Sequence, residues 1–142
     1  MAYEGLSEYA AKKTLEHAMG KTAWTMPTNV YVALFIGDPL GAGSELADPP
    51  ATDYAREQTT GASWGSATFS SPTASIQNAA NIDFGTAGAD WGTVTYVAIY
   101  DAATDGNLIA SGPLEVAFPV LSGMPVMFPA GTLKVRYTQA TS

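Results

Sequence analysis

One stretch, residues 91–114, limits what this chain can become. It runs Trp91-Gly-Thr-Val-Thr-Tyr-Val-Ala-Ile-Tyr-Asp101, then Ala-Ala-Thr-Asp-Gly-Asn107, then Leu-Ile-Ala-Ser-Gly-Pro-Leu114. Val94, Tyr96, Ala98 and Tyr100 alternate with Thr93, Thr95, Val97 and Ile99, the period-two pattern of β-branched and aromatic residues that a strand requires. Both alternating sets hold apolar residues, which places the strand in a sheet covered on both faces. Asp105-Gly106-Asn107 supplies the turn, because Gly and Asn accept positive φ at little cost. Residues 108–111 return as the partner strand. An isolated hairpin is marginal in water, so further strands have to cover it.

Those strands are present. Residues 29–36 alternate Val30, Val32, Leu34 and Ile36 with Tyr31, Ala33 and Phe35. Residues 54–59, 64–70, 82–84, 114–118, 124–128 and 132–138 complete the set of candidate strands. Pro113, Pro119, Pro125 and Pro129 belong at strand ends or edges, since proline has no donor for the ladder. Residues 37–53 carry no periodic pattern and form a long Gly- and Pro-rich loop, a kind that is usually functional or mobile. Residues 6–19 are the one helix. Ser7 can cap its start and Gly20 stands at its left-handed end. A 3.6-residue count puts Ala11, Leu15, Ala18 and Met19 on one stripe and Leu6 and Ala10 nearly opposite. Such a helix packs on one sheet or is held between its own domain and a neighbour. The pattern predicts a mainly β protein: an antiparallel β-sandwich, jelly-roll-like, with one N-terminal α-helix. Residues 1–20 form the helical segment and residues 21–142 a single sandwich domain. Leu34, Val97, Ile99 and Leu133 are expected in the core. An unpaired carboxylate there, as in Ile99→Asp, should prevent folding.

Composition removes several functions. The chain has 142 residues, 46% of them hydrophobic, which is enough for one cored domain. A net charge of −7 with only six Lys and Arg argues against nucleic acid, whose affinity depends on clustered cations. The lack of cysteine removes disulfides and thiolate metal sites. No apolar run is long enough to span a bilayer and no basic-then-apolar leader opens the chain, so membrane insertion is not expected and assembly in a cytoplasm is.

Motifs that resemble chemistry lack their context. Gly61-Ala-Ser63-Trp64-Gly65 has the spacing of a nucleophile elbow, but no helix pattern follows it. The single histidine, His17, lies far upstream on the helix. One histidine cannot supply the roughly four ligands of a stable zinc site. Asp101 and Asp105-Gly106 lack the alternating acids and closing Glu of a calcium loop, so a turn is the better account. Gly37, Gly41 and Gly43 precede no Lys-Ser/Thr pair and cradle no phosphate. No catalytic residue, cofactor or metal is expected.

The order of the pieces carries a resemblance. Met19-Gly20 is followed by Trp24-Thr-Met-Pro-Thr-Asn-Val-Tyr-Val-Ala-Leu-Phe35, then Gly37-Asp-Pro39 and a Gly-rich loop. Tyr54-Ala-Arg56 follows, then the 91–102 strand, Gly106-Asn-Leu108, and Phe128-Pro-Ala-Gly-Thr-Leu133. From about residue 6 to 137 the chain resembles small tailed-bacteriophage virion proteins of the tail-fibre-like family. The resemblance implies a non-enzymatic structural part of the virion: a tail-fibre-like appendage or, alternatively, a capsid decoration or cement protein. It also implies assembly with other virion proteins and with further copies of the chain, a trimer being favoured. Leu6, Ala10, Leu15 and Met19 on the helix are candidate assembly residues. Val120, Met124, Val126 and Met127 join them, because their segment is too apolar for water on both faces. A further alternative is a carbohydrate-binding module on the virion, with Tyr54, Trp64 or Trp91 stacking on a host surface glycan. The competing role for those rings is to fill the core.

Overall fold

The structure, a computed structural model, describes residues 2–4, 6–46 and 54–138, the first three by their backbone alone. The chain forms strands β1 Ala2–Glu4, β2 Asn29–Ile36, β3 Ser44–Glu45, β4 Glu57–Thr60, β5 Thr68–Ser70, β6 Thr73–Gln77, β7 Ile82–Thr86, β8 Gly92–Tyr100, β9 Leu108–Val120, β10 Pro125–Phe128 and β11 Lys134–Thr138. The helix α1 spans Glu8–Ala18, and Gly61–Ser63 is a 3-10 turn. This is the expected mainly antiparallel β-sandwich with an N-terminal helix. Among the described residues β1 alone pairs in parallel, with β11.

In one sheet β2 and β8 are central and β9 lies beyond β8. β4 pairs with residues 29–32 of β2 and β3 with Phe35 and Ile36, so the two share one side of that strand. The opposing layer holds the sheet β1-β11-β6-β5 and the pair β10-β7. The core lies between the layers. Val32 and Leu34 of β2 and Val97 and Ile99 of β8 meet Ile82 and Phe84 of β7, Val126 and Phe128 of β10, and Leu133. All four expected core residues are buried. Each such side chain contributes about 1.5–3 kcal/mol by leaving water. The other face of the sheet carries a smaller cluster of Ala33, Phe35 and Ala98, with Tyr96, Tyr100 and Leu108 packed on it. Both faces of β8 are therefore used, as its two apolar sets require.

A strict alternation would put Val94 and Val97 on opposite faces, yet both enter the main core. A bulge between them breaks the register: Val94 pairs with Phe118 and Tyr96 with Pro113, so Thr95 alone stands opposite residues 114–117 and β9 carries three residues in excess. This bulge, with β9 lying at one end of its sheet's strand order, lets Pro113 and Pro119 sit within a single strand where the sequence suggests two. Four other details differ from the sequence reading. β1 precedes the helix within residues 1–20, where only a helix is expected. β6 falls where no strand is expected. The candidate strand at 64–70 shrinks to Thr68–Ser70 behind the 3-10 turn. The loop at 37–53 contains β3, and its residues 47–53 lie outside the described residues.

That loop begins with a closed neck. Gly37, at φ +86°, approaches Gly43 so closely that a Cβ on Gly43 would stand 2.4 Å from the Gly37 carbonyl group. Within it Leu40 N–H donates to Asp38 Oδ1 at 2.9 Å, and Gly43 N–H donates to the Asp38 carbonyl at 3.0 Å.

Ser7 caps α1, its hydroxyl accepting Ala10 N–H at 3.1 Å. The helix lies against the start of β9. Ala10 points inward and is wholly buried, while Leu15 and Met19 point outward, 60% and 80% exposed.

Candidate functional site

The candidate assembly residues fall into two groups at opposite ends of β9, on the order of 30 Å apart along the strand. At the first end, Leu6 bridges Ala110 and packs against the main core. Ala10 is sealed inside, and Leu15 and Met19 stand in solvent. At the far end, Val120 and Val126 are core residues, which leaves Met124 and Met127 facing outward together with Leu121. Burial of Ala10, Val120 and Val126 within the protomer leaves them no surface to offer a partner. The alternation of β10, in which Val126 and Phe128 face in and Met127 faces out, explains why the apolar run 120–128 does not need both faces covered.

The aromatic candidates are engaged internally. Trp91 is 5% exposed and meets Tyr54 edge-on at 5.4 Å, so neither of its faces is open to a sugar. Tyr54 also stacks on Phe84 at 6.3 Å. Trp64 packs against the core and donates its Nε1 hydrogen to Thr59 Oγ1 at 2.9 Å.

Tyr54 belongs to a polar cluster that the sequence analysis missed. Arg56 holds Glu45 as a two-pronged pair, Nε to Oε1 at 2.8 Å and Nη2 to Oε2 at 2.9 Å. Its Nη1 donates to the carbonyls of Ala102 at 2.9 Å and Asp105 at 2.8 Å, and its carbon centre lies 3.8 Å from the Tyr100 ring centroid. The Tyr54 hydroxyl donates to Glu45 Oε1 at 3.0 Å and accepts Leu34 N–H at 3.0 Å. Burial drives the Tyr54 phenol well above its ordinary pKa. The Leu34 hydrogen bond pulls it down, and the Glu45 charge pushes it up. Burial opposes the Arg56 charge, but the hydrogen bonds and charge of Glu45 outweigh it and the guanidinium pKa rises. The cluster ties β3 and β4 to the β8–β9 turn, where Gly106 adopts the expected positive φ and Asp105, in place of Asn107, supplies the second. The only sequence signal for it is a charged residue inside the candidate strand 54–59; its carboxylate partner lies in a loop without pattern, and its other acceptors are main-chain atoms forty-six and forty-nine residues away.

The chemical motifs resolve into local structure. Ser63 lies in the 3-10 turn, where its Oγ accepts Thr60 N–H at 3.1 Å, and the strand β5 follows instead of a helix. His17 Nδ1 accepts Trp24 N–H at 3.1 Å. Asp101 closes the hairpin turn by accepting Asn107 N–H at 2.7 Å and its Nδ2 at 2.9 Å. Among the described residues no three His, Asp or Glu side chains gather as a metal site needs, and no helix is long and apolar enough to cross a membrane.

The chain was compared with known proteins. No curated protein matches it. A family model described as Podophage GP4 fiber I protein gp80 matches residues 5–136, from the segment before α1 to within β11. With most of its length so matched, the chain belongs to the Podophage GP4 fiber I protein gp80 family and is a structural fibre protein of a phage virion.

Proposed function

We propose that this chain is a non-enzymatic subunit of a tail-fibre-like appendage, in which residues 1–20 dock and residues 21–142 form the sandwich body. The observation that carries the reading is the pair of outward-facing apolar groups at the two ends of β9: Leu15 and Met19 at one end, Leu121, Met124 and Met127 at the other. Contiguous exposed apolar side chains mark contact surfaces. A molecule with one at each end of its long strand suits repeated contacts, with its own copies and with other virion proteins. A trimer, three times the 14.7 kDa chain, is the favoured assembly. No constellation of groups for catalysis accompanies these surfaces among the described residues.

Location in the particle tests the placement. Antibody labelling of purified virions is expected on the tail. Label spread over the head would instead support the capsid decoration reading, and absence from virions would remove both. A mass measurement of the full chain tests self-association. A chain beginning at Lys21 is expected to keep the sandwich strands other than β1 and lose its attachment to the particle.

A further inference from the structure

Residues 2–4 and 6–28 form an arm fastened to the body near its start. β1 pairs in parallel with Lys134, Val135 and Arg136 of β11. Leu6 bridges Ala110, Ser7 N–H donates to the Ile109 carbonyl at 2.8 Å, and the Ser7 hydroxyl donates to the Leu108 carbonyl. Ala10 fills a space that is wholly enclosed. Among the described residues these are main-chain pairings, the Ser7 hydroxyl and the packed side chains of Leu6 and Ala10, and every copy of the protein presents the same β9–β11 surface to receive them.

The connector that follows is built differently. Gly20 N–H bonds to the His17 carbonyl, Lys21 and Thr22 N–H to the Glu16 carbonyl, and Trp24 N–H to His17 Nδ1. The Trp24 ring meets Tyr9 edge-on at 6.2 Å. All of these contacts end within the arm. The next hydrogen-bonded attachment to the body, among the described residues, is Asn29 pairing with Thr60 at the start of β2. Between connector and body lies an open cleft of about 450 Å³, bounded by Tyr9, Lys13, Trp24, Met26, Pro27 and Asp101. Met26 in the connector is 85% exposed, continuing the solvent-facing Leu15 and Met19.

We propose that the arm is exchanged between subunits, each copy seating β1 and α1 on the β9–β11 surface of a neighbour. This rests on the self-association proposed above and names its occupant: a second copy's arm. An exchanged arm makes every contact of the closed form, so the two forms differ only in the connector and in what surrounds it. Residues 21–28 reach up to roughly 3.3 Å each when extended, enough to pass from one body to the next. Running between two bodies, the connector buries Leu15, Met19 and Met26, which the closed form leaves in water. The high local concentration of copies in an assembling particle favours the exchanged form.

The absence of cysteine makes the test direct. Leu6 and Ala110 face each other across a bridge, so the double variant Leu6→Cys/Ala110→Cys in the full chain can join them by a disulfide. After oxidation, a denaturing gel without reductant is expected to show covalently linked chains. A disulfide closed within single chains, in a protein whose native mass is oligomeric, overturns exchange and leaves self-association standing. The same closed disulfide in a monomeric protein overturns both. A second variant keeps native cores intact: a flexible insertion of about six Gly and Ser residues after Thr25 relaxes the connector. Exchange requires its native mass to shift toward the monomer at unchanged sandwich melting, and an unaltered mass overturns it.

Discussion

Arg56 and Ser7 both fasten an irregular part of the chain to the β8–β9 hairpin, and they do so by opposite means. Arg56 uses a planar, charged side chain that meets a carboxylate, two carbonyls and a ring at once. Its side chain is 8% exposed, its Glu45 partner's 17%. Ser7 uses its own main-chain N–H and a small hydroxyl, on carbonyls that any strand offers. The first fastening is specific to one residue in one place, because a guanidinium fork fits few surroundings. The second is generic. The exchange proposed above would use both kinds: the specific one to hold the body, the generic one to let the arm seat on any copy.

The largest test of this contrast is Arg56→Ala. It leaves Glu45 largely buried without its partner and should cost about 3–5 kcal/mol in denaturant unfolding. Arg56→Lys keeps the charge but not the fork, and should recover only part of the loss. A loss under about 1 kcal/mol for Arg56→Ala would reduce the cluster to an ordinary surface pair.

Asn78 extends the comparison to a neutral anchor. It is completely buried, donates Nδ2 hydrogens to the carbonyls of Ala80 and Pro129 at 2.8 and 3.0 Å, and accepts Leu133 N–H at 2.9 Å. Asn78→Ala orphans these main-chain groups, and a loss of about 2 kcal/mol is expected by the same measurement. Ser7→Ala should cost about 1 kcal/mol of helix stability. Its effect is expected in the helical circular dichroism signal and in association, with the sandwich melting unmoved.

The smallest effect concerns Glu57, which neighbours Arg56 in sequence but not in circumstance. Burial raises its carboxyl pKa, and the charge of Asp83 raises it further. Such a group is stabilising only when protonated. The penalty is absent below its unfolded value, grows as pH rises between the unfolded and folded values, and is complete above the folded one. Glu57→Gln should therefore raise the melting temperature slightly at about pH 7 and leave it unchanged near pH 3. A gain of equal size at both would assign the effect to something other than charge.

The difference between these regions also decides what could be read from the sequence. The helix with its Ser7 cap, the β2 and β8 strands and the buried Val97 and Ile99 follow from local periodicity and are legible. β6, Thr-Ala-Ser-Ile-Gln, is not. It holds few β-branched or aromatic residues, and its pairing with β11 joins segments far apart in the chain. Asn78 and the Nη1 contacts of Arg56 leave no sequence trace because their partners are main-chain groups, and the Glu45 partner of Arg56 stands in a loop that no periodicity positions. The division of α1 into two apolar sides was visible, but only the fold assigns Ala10 to the interior and Leu15 and Met19 to the outside. The 120–128 run looked like surface in excess because alternation within so short a strand is masked by flanking apolar residues.

The neck between Gly37 and Gly43 has a practical consequence. Its two backbones touch, so neither position has room for a larger residue. The tip between them turns outward, Leu40 being 68% exposed. The two ends of that tip stand at a fixed place on the sandwich, and Leu40 between them shares a cleft with Ser7, Tyr9 and Leu108. A foreign peptide spliced after Leu40 would leave from one fixed post and return to another. Gly43→Ala alone would do more harm than the whole graft, because its Cβ would stand 2.4 Å from the Gly37 carbonyl group.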